Sequence, residues 1–393
     1  MAWYSSWTRA QRLVITVPSG TVTALSYFPV VLTAASLPTE LTNNTYGRSD
    51  GGDLAFAADL GLGNSVSSIG SQIPCEVVSA AFGGSPSAEI HVQVPSVAAT
   101  GTLTYIWVLY SNSGQTAQPA ASSTYGSQNV WNENGVQNYQ GVWHFGTPST
   151  LNVNDSTSNA NISTNHGATA GTGPWSGGAA TIGNANYIDA GSSSSLAPSG
   201  NFTISGWANQ VAAGSNANDI IGRDNSAPPN REYILRLTTS GNVYAYVYDS
   251  SGNSTGITGG SAISFGTWVC LQAVYTYIGS GTSSYTIYVN GTQVGTSSIA
   301  IGPPSNATGY NTWLGARMQS FHDYFYGSID EVRIANVARS ASWVASDYAN
   351  QSAPGTFIEP PSGQGPISLV GAAGILYCGM PVWSSGNPIY FAL

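Results

Sequence analysis

No lysine occurs anywhere in the 393 residues; the nine basic side chains are all arginines, set against 18 acidic ones. Charged residues make up only 7%, where an average soluble domain has about a quarter, and the net charge is −9 with no basic run. That argues against nucleic acid as a partner, because phosphates are held chiefly by Lys and Arg. Anionic membrane surfaces are disfavoured for the same reason.

Cysteine is also scarce. Cys75, Cys270 and Cys378 are odd in number and far apart, so no disulfide framework is expected, and each reads as a small buried hydrophobe. His91, His144, His166 and His322 show no metal-ligand spacing, and His144 reads as a core residue. Strand-like residues from Arg12 to Val17 leave no charged, then apolar, leader before them. The expectation is synthesis in the cytoplasm without a recognisable signal peptide, and a final location on a virion or an extracellular surface. The longest apolar stretch lies in Ile367 to Leu393. It reaches about 17 residues, the lower limit for a membrane helix, and Gly371, Gly374, Gly379 and Pro381 interrupt it. No membrane insertion is expected.

What is present is polar but uncharged, with 47 Gly, 22 Tyr and 11 Trp. Such a surface suits glycan contact or tight protein assembly, because few charges must be desolvated; it suits an inert shell equally well. The chain is long enough for two or three domains, each with its own core. Short alternating runs punctuated by Gly, Pro and Ser predict an all-β chain of tandem antiparallel sandwiches. We expect a sandwich over residues 1–125, a connector over 126–137, a second sandwich over 138–350, a Pro/Gly-rich linker over 351–366 and an apolar assembly tail over 367–393. Asn290-Gly291 between Tyr285–Val289 and Gln293-Val294 is a strong hairpin signal, since both residues favour positive φ. A second hairpin is expected around Ser240-Gly241-Asn242.

The phrase Phe325 to Tyr348 organises the second sandwich. Gly327, Ile329, Asp330, Glu331, Val332, Arg333, Ile334 and Asn336 match the closing "G-x-I-D-E-V-R-I-x-N" of laminin-G-like domains, which this stretch resembles. These are jelly rolls of the concanavalin A-like lectin and glucanase superfamily. Val142-Trp143-His144-Phe145 is similar to the opening of the same unit. Arg12 to Ile15, Asp50 to Phe56, Ile73 to Val77, His91 to Pro95 and Tyr105 to Asn112 resemble the bacterial and archaeal domain of unknown function that often precedes it. His91 stands where those relatives usually carry Trp. The resemblance implies the fold; activity must be read from the site.

The glucanase triplet Glu-x-Asp-x-x-Glu is missing. Asp330 and Glu331, adjacent in a strand, should point to opposite faces unless a bulge intervenes, so a retaining pair is not expected. Gly252 to Gly256 has nucleophile-elbow spacing but lies between strands, where that elbow does not form. Asp155, Asn159 and Asn161 occupy a loop where the resemblance implies calcium at a sandwich rim; the alternative is an Asx-turn satisfying its own backbone. No cofactor is otherwise required. Tyr244, Tyr246 and Tyr248 alternate along a strand and share one face, either as a glycan-stacking strip or packed on a neighbouring layer. The combined expectation is a non-catalytic structural or adhesive protein displayed on a particle, as a virion decoration, fibre or tail component with lectin-like glycan recognition. Its partners would be further copies of itself or other particle proteins through 367–393, and a cell-surface glycan. A bacterial or archaeal cell-surface adhesin is the alternative, and a glycan hydrolase the third.

Overall fold

The computed structural model describes residues 2–175, 177–183, 185–212, 218–224, 231–279, 282–306, 309–317, 323–369, 382–384 and 387–389. Val, Ile, Tyr and Thr at alternate positions build antiparallel strands, and these stack into two sandwiches, as expected of an all-β chain. In the first, Arg9–Ile15 and Thr104–Tyr110 pair over their full lengths, followed by Ala55–Asp59 and Ile69–Ile73. Facing them is a three-stranded sheet with Ser87–Val97 at its centre, between Leu25–Leu32 and Cys75–Ala81. Leu13, Ile15, Phe28, Val30, Phe56, Ile90, Val92 and Ile106 fill the space between.

The second sandwich opposes a seven-stranded and an eight-stranded sheet. Their inner faces bury Phe145, Phe202, Ile204, Tyr233, Leu235, Tyr275, Tyr285, Ile287, Ile329, Val332 and Ile334. Asn290 and Gly291 adopt φ of 50° and 71° between paired strands Thr282–Val289 and Thr292–Ile299, the conformation their sequence favours. A Cβ on Gly291 would also meet the Tyr348 Cβ at 3.0 Å. Gly241, at φ 78°, turns Arg231–Leu237 into Val243–Tyr248.

The closing strand Gly327–Ala335 runs beside Phe202–Gln210, and its register slips where Gly206 faces Glu331 and Val332. This is a β-bulge, with Glu331 at φ 49°. Ile329, Val332 and Ile334 stay in the core, so the extra residue turns Asp330 and Glu331 to the same outer face. The proviso attached to their expected opposition therefore applies.

The helix Ala341–Ser352 follows, capped by the Ser340 side chain, which accepts from the Trp343 N–H. It packs against both sandwiches. Trp207 lies beneath it, donating to Gln351 and stacking on Tyr348, while Trp343 enters the first core and meets Phe28 edge-on at 4.9 Å.

Residues 351–366 are not a free linker. Pro354 starts a further helical turn, a position where its missing N–H costs nothing. Phe357 and Ile358 then join the first core, and both Ile358–Glu359 and Ile367–Ser368 pair with Arg9–Ile15. Leu369 is buried with Trp7 and Trp107. Residues 367–369 thus complete the first sandwich, because its edge strand needs hydrogen-bond partners that residues 1–125 do not provide. The rest of the expected tail lies outside the described residues, apart from Val382–Ser384 paired with Asn387–Ile389. The expected connector is packed as well: Val130 and Trp131 are buried against Tyr139, Val142 and Ala335. Among the described residues no helix is long and apolar enough to cross a membrane.

Candidate functional site

The outer face of the seven-stranded sheet is set by strand alternation. Val243, Ala245 and Val247 point into the core, so Tyr244, Tyr246 and Tyr248 point outward, with neighbouring rings 6.0 and 5.4 Å apart. Tyr244 and Tyr248 are half-buried. Tyr246 is 5% exposed and its hydroxyl donates to Asp224, so the strip is mixed: its middle tyrosine is packed and its ends reach the surface. Gly256 leaves room for the Tyr244 ring, whose hydroxyl would sit 2.2 Å from a Cβ there.

The same face carries an ionic layer. Arg236 pairs with Asp219 at 2.8 Å and lies 5.7 Å from the Tyr244 ring centroid; Arg317 reaches Asp224 at 3.1 Å and also pairs with Asp323. Burial pushes the Asp219 carboxyl up to about 7 against the pull of Arg236 and Arg317. Farther along, Trp313 stacks on Tyr187 at 4.0 Å and Tyr187 on His166 at 4.4 Å. Ile188 and Leu314 face the core, so Tyr187 and Trp313 extend the outward aromatic surface that sequence alternation identified only at the tyrosine strand.

At the rim, Asp155 is saturated. Its Oδ1 accepts from the Val142 and Thr157 N–H groups at 3.0 and 2.9 Å. Its Oδ2 accepts from the Thr157 hydroxyl and from the backbone and side-chain N–H groups of Asn161. Asn159 and Asn161 turn their amide nitrogens, not their oxygens, toward the Gln140 carbonyl. The three residues come together as a self-satisfied turn, and calcium would have to displace those donors.

A constellation that linear spacing did not reveal lies between the two sandwiches. Ile90, Val92 and Val94 point into the first core, so Glu89 and His91 point out of it, beside Glu76. The bulged closing strand brings Asp330 and Glu331 to meet them, and His144 follows the paired strand Tyr139–Trp143. His144, expected as a core residue, is buried in this polar layer: its ring stacks on His91 at 4.4 Å, and its Nδ1 contacts the Glu331 carboxylate. Burial tends to raise Glu331, but His144 and Arg333 hold it well below the usual carboxylate range. Burial and the charge of Glu331 push Glu89 and Asp330 well above theirs. His166 lies apart, and His322 is outside the described residues. The available signal was Glu-x-His on one strand, which places both side chains on one face. Of the cysteines, Cys75 and Cys270 are buried and free; Cys378 lies outside the described residues.

No curated protein matches the chain. Among solved structures, the binding domain of Paraclostridial Mosquitocidal Protein 1 aligns at 16% identity and TM-score 0.43, over 54% of this chain and 52% of its own. The chain thus spans about half of that domain. Domain 4 of AbnA, a GH43 extracellular arabinanase from Geobacillus stearothermophilus solved with arabinotriose, aligns at 21% and 0.40, over 54% of this chain and 98% of its own. The CBM40 of Ruminococcus gnavus IT-sialidase, bound to α2,3 sialyllactose, aligns at 15% and 0.35, over 43% and 94%. Residues 182–345 match the family model of the concanavalin A-like lectin/glucanases superfamily, which agrees with the sandwich they form.

Proposed function

We propose that the protein is a non-catalytic attachment or decoration component of a particle surface, such as a virion, and that it recognises glycans through the outer face of its seven-stranded sheet. The observation that carries this reading is the half-exposed pair Tyr244 and Tyr248, set beside Arg236 on the same face as the Tyr187–Trp313 stack. Aromatic faces stack on the C–H faces of sugar rings, while adjacent charged and amide groups take the hydroxyls. The match of residues 182–345 to a lectin and glucanase superfamily supports such a role. Asp330 and Glu331, the one adjacent acidic pair on the closing strand, are each 1% exposed and face the other sandwich, which leaves no room for a saccharide between them.

Assembly is assigned to the segment beyond residue 369, whose apolar residues would meet further copies of the chain or another particle protein. The decisive experiment is a glycan array with the purified protein, repeated with Tyr244→Ala/Tyr248→Ala. Binding that disappears in the double variant while its melting temperature holds supports the reading. Binding unaffected by the double variant refutes the site, and release of reducing ends refutes the non-catalytic role. Recovery of the protein from cell envelopes and not from particles would favour a surface adhesin.

A further inference from the structure

We propose that Glu89, His91, His144 and Glu331 form a closed structural site for a zinc-like divalent transition-metal ion, which clamps the two sandwiches together. One ligand atom from each residue lies within 4.8 Å of all the others, and all four residues are buried. His91 Nε2 is 3.4 Å from Glu89 Oε1 and 3.7 Å from Glu331 Oε1, and His144 Nδ1 is 3.5 Å from Glu89 Oε1. A tetrahedral zinc with bonds of about 2.0–2.1 Å holds its donors about 3.3 Å apart. The His144 and Glu331 atoms are closer together than that, and this is the contact an inserted ion would open.

Unpaired polar atoms supply an independent reason. Glu89 Oε2, the second oxygen of a ligating carboxylate, and Asp330 Oδ2 are buried without a hydrogen-bond partner. Glu89, His91 and Asp330 are no more than 1% exposed. Native interiors seldom leave such atoms unmatched unless an ion or water completes the set.

The surroundings are those of a built site. Arg333 takes Glu331 through Oε2 and leaves Oε1 facing the histidines. Glu76 lies behind His144, its Oε2 3.4 Å from Nε2. Glu76 is itself held by the Trp131 indole N–H and the Ser156 hydroxyl, each at 2.7 Å. A carboxylate behind a ligating imidazole fixes the ring and raises its basicity. Two imidazoles with two carboxylates favour zinc over calcium or magnesium, which prefer oxygen alone. With four protein donors and no open position, the ion would be structural and not catalytic. Glu89 and His91 come from the first sandwich and His144 and Glu331 from the second, so the ion would fix their mutual orientation.

The full chain is stripped with a chelator, incubated with zinc, desalted and analysed for metal by mass spectrometry. One equivalent should remain, and zinc should raise the melting temperature. Cobalt in its place should give the intense visible bands of a four-coordinate centre. His91→Ala and Glu331→Gln should lose the equivalent, while Asp155→Ala, at the rim, should keep it. Glu76→Gln, a positioning change, should keep the stoichiometry but weaken zinc by about 10–100-fold. Zinc content and the cobalt spectrum are read on the unmutated protein, so they stand even if a variant fails to fold. Less than about half an equivalent retained by the unmutated chain, weak six-coordinate cobalt bands, or folded His91→Ala and Glu331→Gln variants that keep their zinc would each overturn the assignment.

Discussion

Asn350 offers a quantitative test of how the helix Ala341–Ser352 joins the two sandwiches. Leu25–Leu32 is an edge strand, and an edge leaves backbone groups without a ladder partner. Asn350 supplies the missing partner at Val31: its Oδ1 accepts from the Val31 N–H at 2.7 Å, and its Nδ2 donates to the Val31 carbonyl at 3.0 Å. The side chain is 1% exposed, so water cannot readily replace it. Asn350→Ala strands two buried backbone groups at about 1–3 kcal/mol each, which predicts a loss of about 2–6 kcal/mol. Domains of this kind are stable by only about 5–15 kcal/mol, so the effect is large. Asn350→Asp keeps the acceptor, loses the donor and buries a charge, and should not rescue. Exposed Ser352→Ala should stay within about 0.5 kcal/mol of the unmutated chain. Urea unfolding followed by tryptophan fluorescence measures all three. A midpoint for Asn350→Ala that coincides with that of Ser352→Ala would show that the carboxamide bridge contributes nothing.

Tyr244→Ala/Tyr248→Ala should leave the melting temperature nearly unchanged, whereas adding Tyr246→Ala should lower it, because that buried ring anchors Asp224; equal melting of the double and triple variants would contradict the division. Burial pushes the Cys75 thiol up to about 12, which favours the protonated form in the folded state. Its contribution to stability is therefore complete below about pH 8.5 and declines as pH climbs toward the folded value. Thiol reagents at pH 8 should label Cys75 only after denaturation, and rapid labelling of the native protein by mass spectrometry would refute its burial. Ending the chain at residue 366 removes the Ile367–Ser368 pairing and buried Leu369. Burial of a leucine is worth about 1.5–3 kcal/mol, so calorimetry should show a lower transition, while ending at 369 should spare stability and abolish incorporation into particles. Asp155→Asn should destabilise the chain, since a carboxamide cannot serve all five donors; millimolar calcium should not stabilise the unmutated chain, and a calcium-dependent rise in melting temperature would show that the turn opens to an ion.

Where the physics is local, the sequence was sufficient. Alternation at Val243–Tyr248 decided which side chains face the core, Asn290-Gly291 decided a hairpin through φ alone, and the Gly327 to Asn336 phrase marked the closing strand. Tertiary structure decided what depends on partners distant in the chain. Whether Tyr246 is core or surface turned on Asp224, held on another strand. Residues 351–369, polar and proline-rich by composition, became ordered because an edge strand near the N-terminus needed hydrogen bonds. The Glu331 bulge exists because Gly206 of the neighbouring strand faces two residues at once, and no pattern within the closing strand could announce that slip. Once it turned Asp330 and Glu331 to one side, the docking of two sheets brought Glu89, His91 and His144 within reach. Periodicity gives the face a side chain occupies; only packing determines which other face it meets.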